Sequence, residues 1–341
     1  MLNAVYRLVE PRRFEVEFTD IDLCGSEVIV RPTHLSICNA DQRYYQGIRP
    51  PEVLAKKLPM ALLHEGIGRV VADYSGTFKP GQQVVMIPNT PVEEDDIIAE
   101  NYLRSSKFRA SGFDGFMQDL VAMRKDRVVA LPENIDPDVA AFTEFTSVCY
   151  HAANRFDALA HRRRNRIGIW GDGNLAYIIT LIMRYREPGA EITVFGKHQS
   201  KLELFSFADQ TYHISSIPEE LEVDHAFECV GGSGAPGAIN QIIDHIAPEG
   251  TISILGVTEE LAPINTRMVL EKGLRIFGSS RSGREDFENT VRMYIDRPDF
   301  VRYLKFLVDS TIEVNDMEGI ITAFESDIHK AAGKTILHWN R

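Results

Sequence analysis

Residues 167–187 read IGIWGDGNLAYIITLIMRYRE. A short β-prone run stops at Gly171 and a helical apolar pattern starts near Asn174 and Leu175, so a glycine turn lies between a predicted strand and a predicted helix. Gly171, Gly173 and Ala176 fit the G-x-G-x-x-G/A spacing, and each position has its own physical task. Gly171 permits the tight turn, Gly173 carries no Cβ and lets the backbone approach a pyrophosphate, and Ala176 lets the helix pack closely on the strand. The helix that follows points unpaired N–H groups toward the phosphates. Taken alone, this spacing also fits an ordinary strand–turn–helix.

The flanking sequence selects between the two. ITVF is followed by SKLELFSFA, DHAFECV by PGAINQIIDHI, GTISILGV by TRMVLEK, and LRIFGS by EDFENTVRMYI. Buried strands alternating with helices predict a doubly wound parallel sheet. Residues 1–135 follow a different rhythm: EVIVRP (27–32), GIGRVVADY (66–74) and QQVVMIP (82–88) are short strand patterns punctuated by turns such as KPGQ (79–82). The last 45 or so residues are mixed and end in KTILHW, a strand that the β-rich first part can reclaim. The fold class is therefore α/β, a β-rich domain joined to a doubly wound one.

The chain has 341 residues, enough for two domains, and its 44% apolar and 25% charged content allows a sizeable core. A net charge of −12 argues against nucleic acid or an anionic membrane as partner. An anionic ligand must then be met by a local cluster of cations. The N-terminus lacks the apolar core of a signal peptide, and LAYIITLIM (175–183) is far too short to span a bilayer, so a soluble cytoplasmic protein is expected. Cys24, Cys38, Cys149 and Cys229 lie far apart with no CxxC pair, which suggests reduced thiols or ligands gathered by folding. The carboxylate-dense stretch PVEEDDIIAE (91–100) reads as a solvated loop.

The second strand of the series indicates the cofactor. An NAD site usually places Asp or Glu at that strand's end, about 20 residues past the glycine turn, to bond the ribose hydroxyls. Here ITVFGKHQSKLEL (192–204) supplies Lys197, His198, Ser200 and Lys201 beyond Gly196, and no carboxylate. Two lysines and a hydroxyl suit a 2′-phosphate, so NADPH is expected over NADH; a solvated basic loop is the alternative. For a substrate site beside a nicotinamide, the first part offers Cys38, then His64 with Glu65, then Glu144. These are too far apart in sequence to form one local motif, but thiolate, imidazole and carboxylate are a suitable catalytic zinc set with the fourth position open.

SICNADQRYYQG, LLHEGIGRVV, FKPGQQVVM, FDGFMQDLVAM, the 167–176 turn and DHAFECVGG occur in the order of the medium-chain dehydrogenase/reductase superfamily, which the whole chain resembles. The resemblance implies a GroES-like catalytic domain over 1–147 and 285–341 and a Rossmann domain over 148–284. It implies Cys38, His64 and Glu144 as catalytic zinc ligands, with Glu65 a neighbouring group or exchanging ligand, and Asp41 orienting His64. Two departures stand out. The region 86–112 has no cysteine, so no structural zinc is expected. Ala40 replaces the hydroxyl residue that often starts the proton relay, leaving Glu65 or water as the proton's route.

Within the superfamily, VVMIPNTPVEEDDIIAENYL, GIWGDGNLAYI and NTRMVLEKGLRIFGSSRSG resemble the ribulose-5-phosphate reductases of teichoic acid and capsule synthesis. This likeness implies NADPH-dependent reduction of ribulose 5-phosphate to ribitol 5-phosphate for CDP-ribitol supply. A homodimer acting with a cytidylyltransferase is likewise implied. The substrate phosphate would need cations, for which Arg43 with Tyr44, and Arg281 or Arg284, are candidates, arginine being suited to bidentate phosphate binding. HRRRNR (161–166) precedes the first Rossmann strand, on the side away from the ligand-binding ends, and reads as a solvated face. An unphosphorylated polyol or alcohol as substrate stays open at this point, as does a non-enzymatic NADPH-binding protein.

Overall fold

The structure is a computed structural model that describes residues 1–21 and 27–341; Cys24 lies outside the described residues. It divides into two units, Val148–Arg281 and a discontinuous one made of Met1–Ser147 with Ser282–Arg341.

The Val148–Arg281 unit is built on six strands in the spatial order Gln210–His213, Glu191–Gly196, Arg166–Trp170, Val223–Glu228, Ile246–Ile254, Arg275–Gly278. All five pairings are parallel. Chain order 3-2-1-4-5-6 is the doubly wound order, with its switch point between the Arg166 and Val223 strands. Val223–Glu228 is buried at every position, which accounts for its lack of polar alternation. The helix Ala235–His245 buries Ala238, Ile239, Ile242 and Ile243, one stripe at helical spacing. Gly171 has φ +135°, and a Cβ there would lie 3.1 Å from the Cys229 backbone, so the turn demands glycine.

In the discontinuous unit, a sheet runs Val128–Ala130, Gln83–Met86, Glu65–Asp73, Val28–Ser36, Lys334–Trp339, Val308–Val314, with Val121–Met123 also pairing to the Val28 strand. A three-stranded sheet of Arg13–Asp20, Leu2–Glu10 and Met60–Ala61 accompanies it. The Lys334 strand enters between two others: antiparallel to Val28–Ser36 with His338 opposite His34, and parallel to Val308–Val314. Tyr6, Leu8, Val30, Tyr45, Phe116, Phe324 and Leu337 form part of one core that draws on both ends of the chain.

The helix Arg284–Asp296 follows the last parallel strand, and by sequence it continues the βαβ series. In the structure it belongs to the discontinuous unit, packing Phe287 and Val291 with Ile67, Val85 and Ile87. Its apolar stripe is satisfied by the other sheet, a choice that periodicity alone does not reveal.

The loops at the C-terminal ends of the parallel strands are held by a buried carboxylate. Glu228 Oε1 accepts from the Val230 and Gly231 N–H groups, each at 2.8 Å, and Oε2 from that of Gly256 at 3.1 Å. Glu228→Ala would leave the Val230 and Gly231 donors without their acceptor, while Gly256 N–H keeps the Glu228 main-chain carbonyl at 3.1 Å. We expect a loss of about 2–4 kcal/mol, read as a lowered urea midpoint, with Glu228→Gln falling between that variant and the parent. A midpoint unchanged in the alanine variant would contradict the bracing role.

Candidate functional site

Asp41 is central to the geometry of the discontinuous unit. It sits in the first turn of the helix Asn39–Tyr45, with Cys38 at the N-cap, and is fully buried. Its Oδ2 accepts from the Cys38 N–H at 3.2 Å and lies 3.5 Å from His64 Nδ1, while Oδ1 accepts from the Leu63 N–H at 3.0 Å. One carboxylate thus fixes the backbone at Cys38, the backbone before His64 and the imidazole itself, leaving the far ring nitrogen of His64 for a ligand.

Leu63 is fully buried with φ +63°, a conformation that costs a non-glycine residue about 1–2 kcal/mol. Its N–H goes to Asp41 and its carbonyl accepts from Phe116 N–H at 2.7 Å, so both backbone groups offset the strain. Gly115 passes so close that a Cβ there would lie 2.3 Å from the Leu62 carbonyl oxygen and 2.4 Å from that of Leu63. The FDGF stretch therefore supports the turn that aims His64.

The ligand atoms of Cys38, His64 and Glu65 lie within 4.8 Å of one another. Glu65 is fully buried; its Oε1 accepts from Lys334 Nζ at 2.8 Å, and its Oε2 is buried with no hydrogen-bond partner. Such an orphaned oxygen is costly unless a cation meets it. Burial lowers the His64 imidazole, but Asp41 and Cys38 outweigh it and hold the group well above its ordinary value. Glu144 is also buried, on the helix Thr143–Leu159, but is not in the three-residue group. Burial pushes its carboxyl up to about 7, His64 opposing the rise and Glu65 adding to it. A thiol, an imidazole and a carboxylate converging around one unsatisfied oxygen suit a zinc ion with an open position.

Lys334 completes this group. It is buried at the start of the C-terminal strand, with Nζ 4.9 Å from the Phe145 ring. Burial lowers its ammonium, yet Glu65 and Cys38 outweigh that and leave it raised. Sequence reasoning gave KTILHW only a strand role. A lysine opening a strand that otherwise reads as core was the available signal.

The Arg43 and Tyr44 candidates share the helix of Asp41. Arg43 is half-buried, and Tyr44 is buried with its ring 4.9 Å from the Arg49 guanidinium and 5.8 Å from Lys57 Nζ. Arg49 and Lys57 are therefore cations of this corner that the sequence reading passed over. Arg284 is engaged elsewhere: its Nε donates to Glu288 at 2.8 Å and one terminal nitrogen to the Lys125 and Val128 carbonyls, each at 3.3 Å. Arg281 closes the Val148–Arg281 unit with φ +58°.

In that unit, a Cβ on Gly173 would meet no protein atom within 4 Å. The protein's own packing does not require glycine there, whereas a phosphate lying against the backbone would. Lys197, His198 and Ser200 are exposed and Lys201 half-buried just beyond the second strand. The sequence reading expected no carboxylate at that tip. The strand itself supplies none, but Asp172 reaches across from the glycine turn: its Oδ2 accepts from the Lys197 and His198 N–H groups, each at 2.7 Å, and lies 3.0 Å from His198 Nδ1. Those bonds hold Asp172 below its ordinary value in spite of burial, so it pins the basic loop to the turn.

No helix among the described residues is long and apolar enough to cross a membrane. Residues 25–133 match the alcohol dehydrogenase GroES-like domain family, and residues 186–296 match the zinc-binding dehydrogenase family. The chain is 54% identical over 339 residues to the ribulose-5-phosphate reductase of Bacillus spizizenii, covering 99% of each chain. It is 52% identical, with the same coverage, to ribulose-5-phosphate reductase 1 of Staphylococcus aureus. The crystal structure of S. aureus TarJ in complex with NADPH superimposes with a TM-score of 0.90, at 47% identity and 100% coverage of both chains.

The bracing by Asp41 is open to direct measurement. Asp41→Asn keeps the shape but weakens the grip on His64. Zinc affinity, measured by chelator competition, should fall by about 10–100-fold, with far-ultraviolet circular dichroism unchanged. An affinity equal to the parent's would remove Asp41 from this role.

Proposed function

The chain belongs to the zinc-binding dehydrogenases and, within them, to the ribulose-5-phosphate reductases, and on that footing we infer that it reduces D-ribulose 5-phosphate to D-ribitol 5-phosphate with NADPH. The product would feed CDP-ribitol supply for teichoic acid or capsule. One observation carries this reading: the similarity to the reductases runs along 99% of both chains, through the unit with the Cys38–His64–Glu65 group and the unit with the glycine turn.

Cys38, His64 and Glu65 hold the zinc, with Glu144 as an exchanging partner. When bound, the ion supplies Lewis acidity that polarises a substrate carbonyl, and the nicotinamide supplies the hydride. The chain's own residues do the rest. Asp41 keeps Cys38 and His64 in place, and Lys334 holds Glu65 while keeping one of its oxygens occupied. Glu144 lies buried beside His64 and Glu65, and the proton for which Ala40 has no hydroxyl passes through Glu65 or water. Arg43, with Arg49 and Lys57 around Tyr44, forms the basic corner for the substrate phosphate, and Arg281 serves a phosphate of substrate or cofactor. Gly171, Gly173, Asn174, Leu175 and Ala176 cradle the pyrophosphate, while Lys197, His198, Ser200 and Lys201 receive the 2′-phosphate. The enzyme works in the cytoplasm as a homodimer alongside a cytidylyltransferase.

Ribulose 5-phosphate and ribulose, each assayed with NADPH, test the substrate. Two charge-assisted hydrogen bonds to the phosphate imply a preference of at least about a hundredfold in kcat/KM. Equal efficiencies would sink the phosphate corner. Cys38→Ser should remove both zinc and turnover while NADPH binding persists. Replacing Lys197 and Lys201 together by Gln should weaken NADPH by about 10–100-fold and leave NADH nearly unchanged. A parallel loss for both cofactors would contradict the 2′-phosphate role.

A further inference from the structure

A second cluster of metal-binding side chains lies in the discontinuous unit and shares no residue with the first. His34, on the Val28–Ser36 strand, faces His338 on the Lys334–Trp339 strand as its antiparallel register partner. Their rings are 4.7 Å apart at 62°. Directly opposed residues on neighbouring strands hold their Cβ atoms at a fixed short separation, which makes an opposed histidine pair a natural chelate. Asp138, from the helix Pro137–Ala140, brings Oδ1 to 2.8 Å from His338 Nε2 and 4.0 Å from His34 Nε2. One donor atom from each of the three residues falls within a 4.8 Å group.

Two further observations separate this cluster from a simple ion pair. His338 is held from behind: its Nδ1 lies 2.7 Å from Glu313 Oε1, and Glu313 is its register partner on the Val308–Val314 strand. A carboxylate on the far nitrogen is the arrangement that orients a metal-bound imidazole. An ion pair between His338 and its two carboxylates would need no second imidazole, and a protonated His338 repels one. His34 Nδ1 is buried with no hydrogen-bond partner. The side chains of His34, Asp138 and His338 are 21%, 21% and 27% exposed, open enough to load from solvent.

We propose that His34, Asp138 and His338 form a second divalent-metal site, for zinc or a related transition ion, with the fourth position taken by water. Two imidazoles and one carboxylate favour such an ion over magnesium or calcium, which take oxygen ligands. The ion ties the C-terminal strand to its antiparallel neighbour and to the Pro137 helix, so its effect is on stability rather than on turnover.

The test titrates zinc into the reductase already carrying its catalytic ion, reading metal per chain by elemental analysis and the thermal midpoint in parallel. The parent should take up a second equivalent and its midpoint should rise. His34→Gln and Asp138→Asn should each stop at one equivalent, show no rise, and keep the parent's turnover. Cys38→Ser should lose the catalytic ion and still load this one, which makes failure of the two sites distinguishable. Cobalt loaded into Cys38→Ser should give the visible d–d bands of a four-coordinate site without thiolate charge transfer. Circular dichroism checks that each variant is folded, and His34→Gln together with Asp138→Asn guards against misfolding of either one. A parent that never exceeds one equivalent overturns the site, as does a second equivalent that persists in both variants, which would be an adventitious ion only.

Discussion

A buried ammonium–carboxylate pair, Lys334 with Glu65, closes a span of 269 residues. Placing two charges out of water is expensive, and the arrangement persists only where each finds its partner in good geometry. That requirement constrains the chain path: the C-terminal strand must return into the first sheet, beside Val28–Ser36, to deliver the lysine. The same strand carries Leu337 into the core and His338 opposite His34, so one insertion serves packing, the partner of Glu65 and the second cluster. One oxygen of Glu65 goes to Lys334, and the other is buried without a hydrogen-bond partner in a residue grouped with Cys38 and His64.

Both units use the same device to hold their functional ends. A carboxylate is turned toward backbone N–H groups that regular structure leaves over. Asp41 serves the Cys38 and Leu63 amides, Glu228 serves those of Val230, Gly231 and Gly256, and Asp172 serves those of Lys197 and His198. Glu228 ends the strand that leads into its loop, whereas Asp41 and Asp172 also reach backbone 22 and 25 residues away. Rigid positioning of this kind is what transition-state stabilisation needs, since loose ligands lose most of their effect.

The legible part of the molecule was what local pattern encodes. The buried runs and helical stripes around 167–280 give the parallel sheet, and Gly171 gives the turn, because both follow from period and from φ at single positions. Cys38, His64 and Glu65 could be nominated by residue type. What sequence could not show was pairing across long separations: that Lys334 reaches Glu65, that Asp172 bridges to the basic loop, or that Arg49 and Lys57 gather on Tyr44. Helix Arg284–Asp296 shows the same limit from another side, since its apolar stripe says that it packs but not on which sheet. Glu144 shows the limit too: residue type nominates it, while its burial beside His64 and Glu65 is visible only in the fold.

The strained backbone at Leu63 bears on how this enzyme depends on the cell's supply of metals. Asp41, Phe116 and Gly115 set the direction of His64 through contacts made entirely within the protein, so the donors are arranged without reference to the radius or preferred geometry of any one ion. A thiolate, an imidazole and a carboxylate so placed follow the general order of affinities, in which copper binds more tightly than zinc. Discrimination against copper then rests on the geometry this frame imposes together with metal availability.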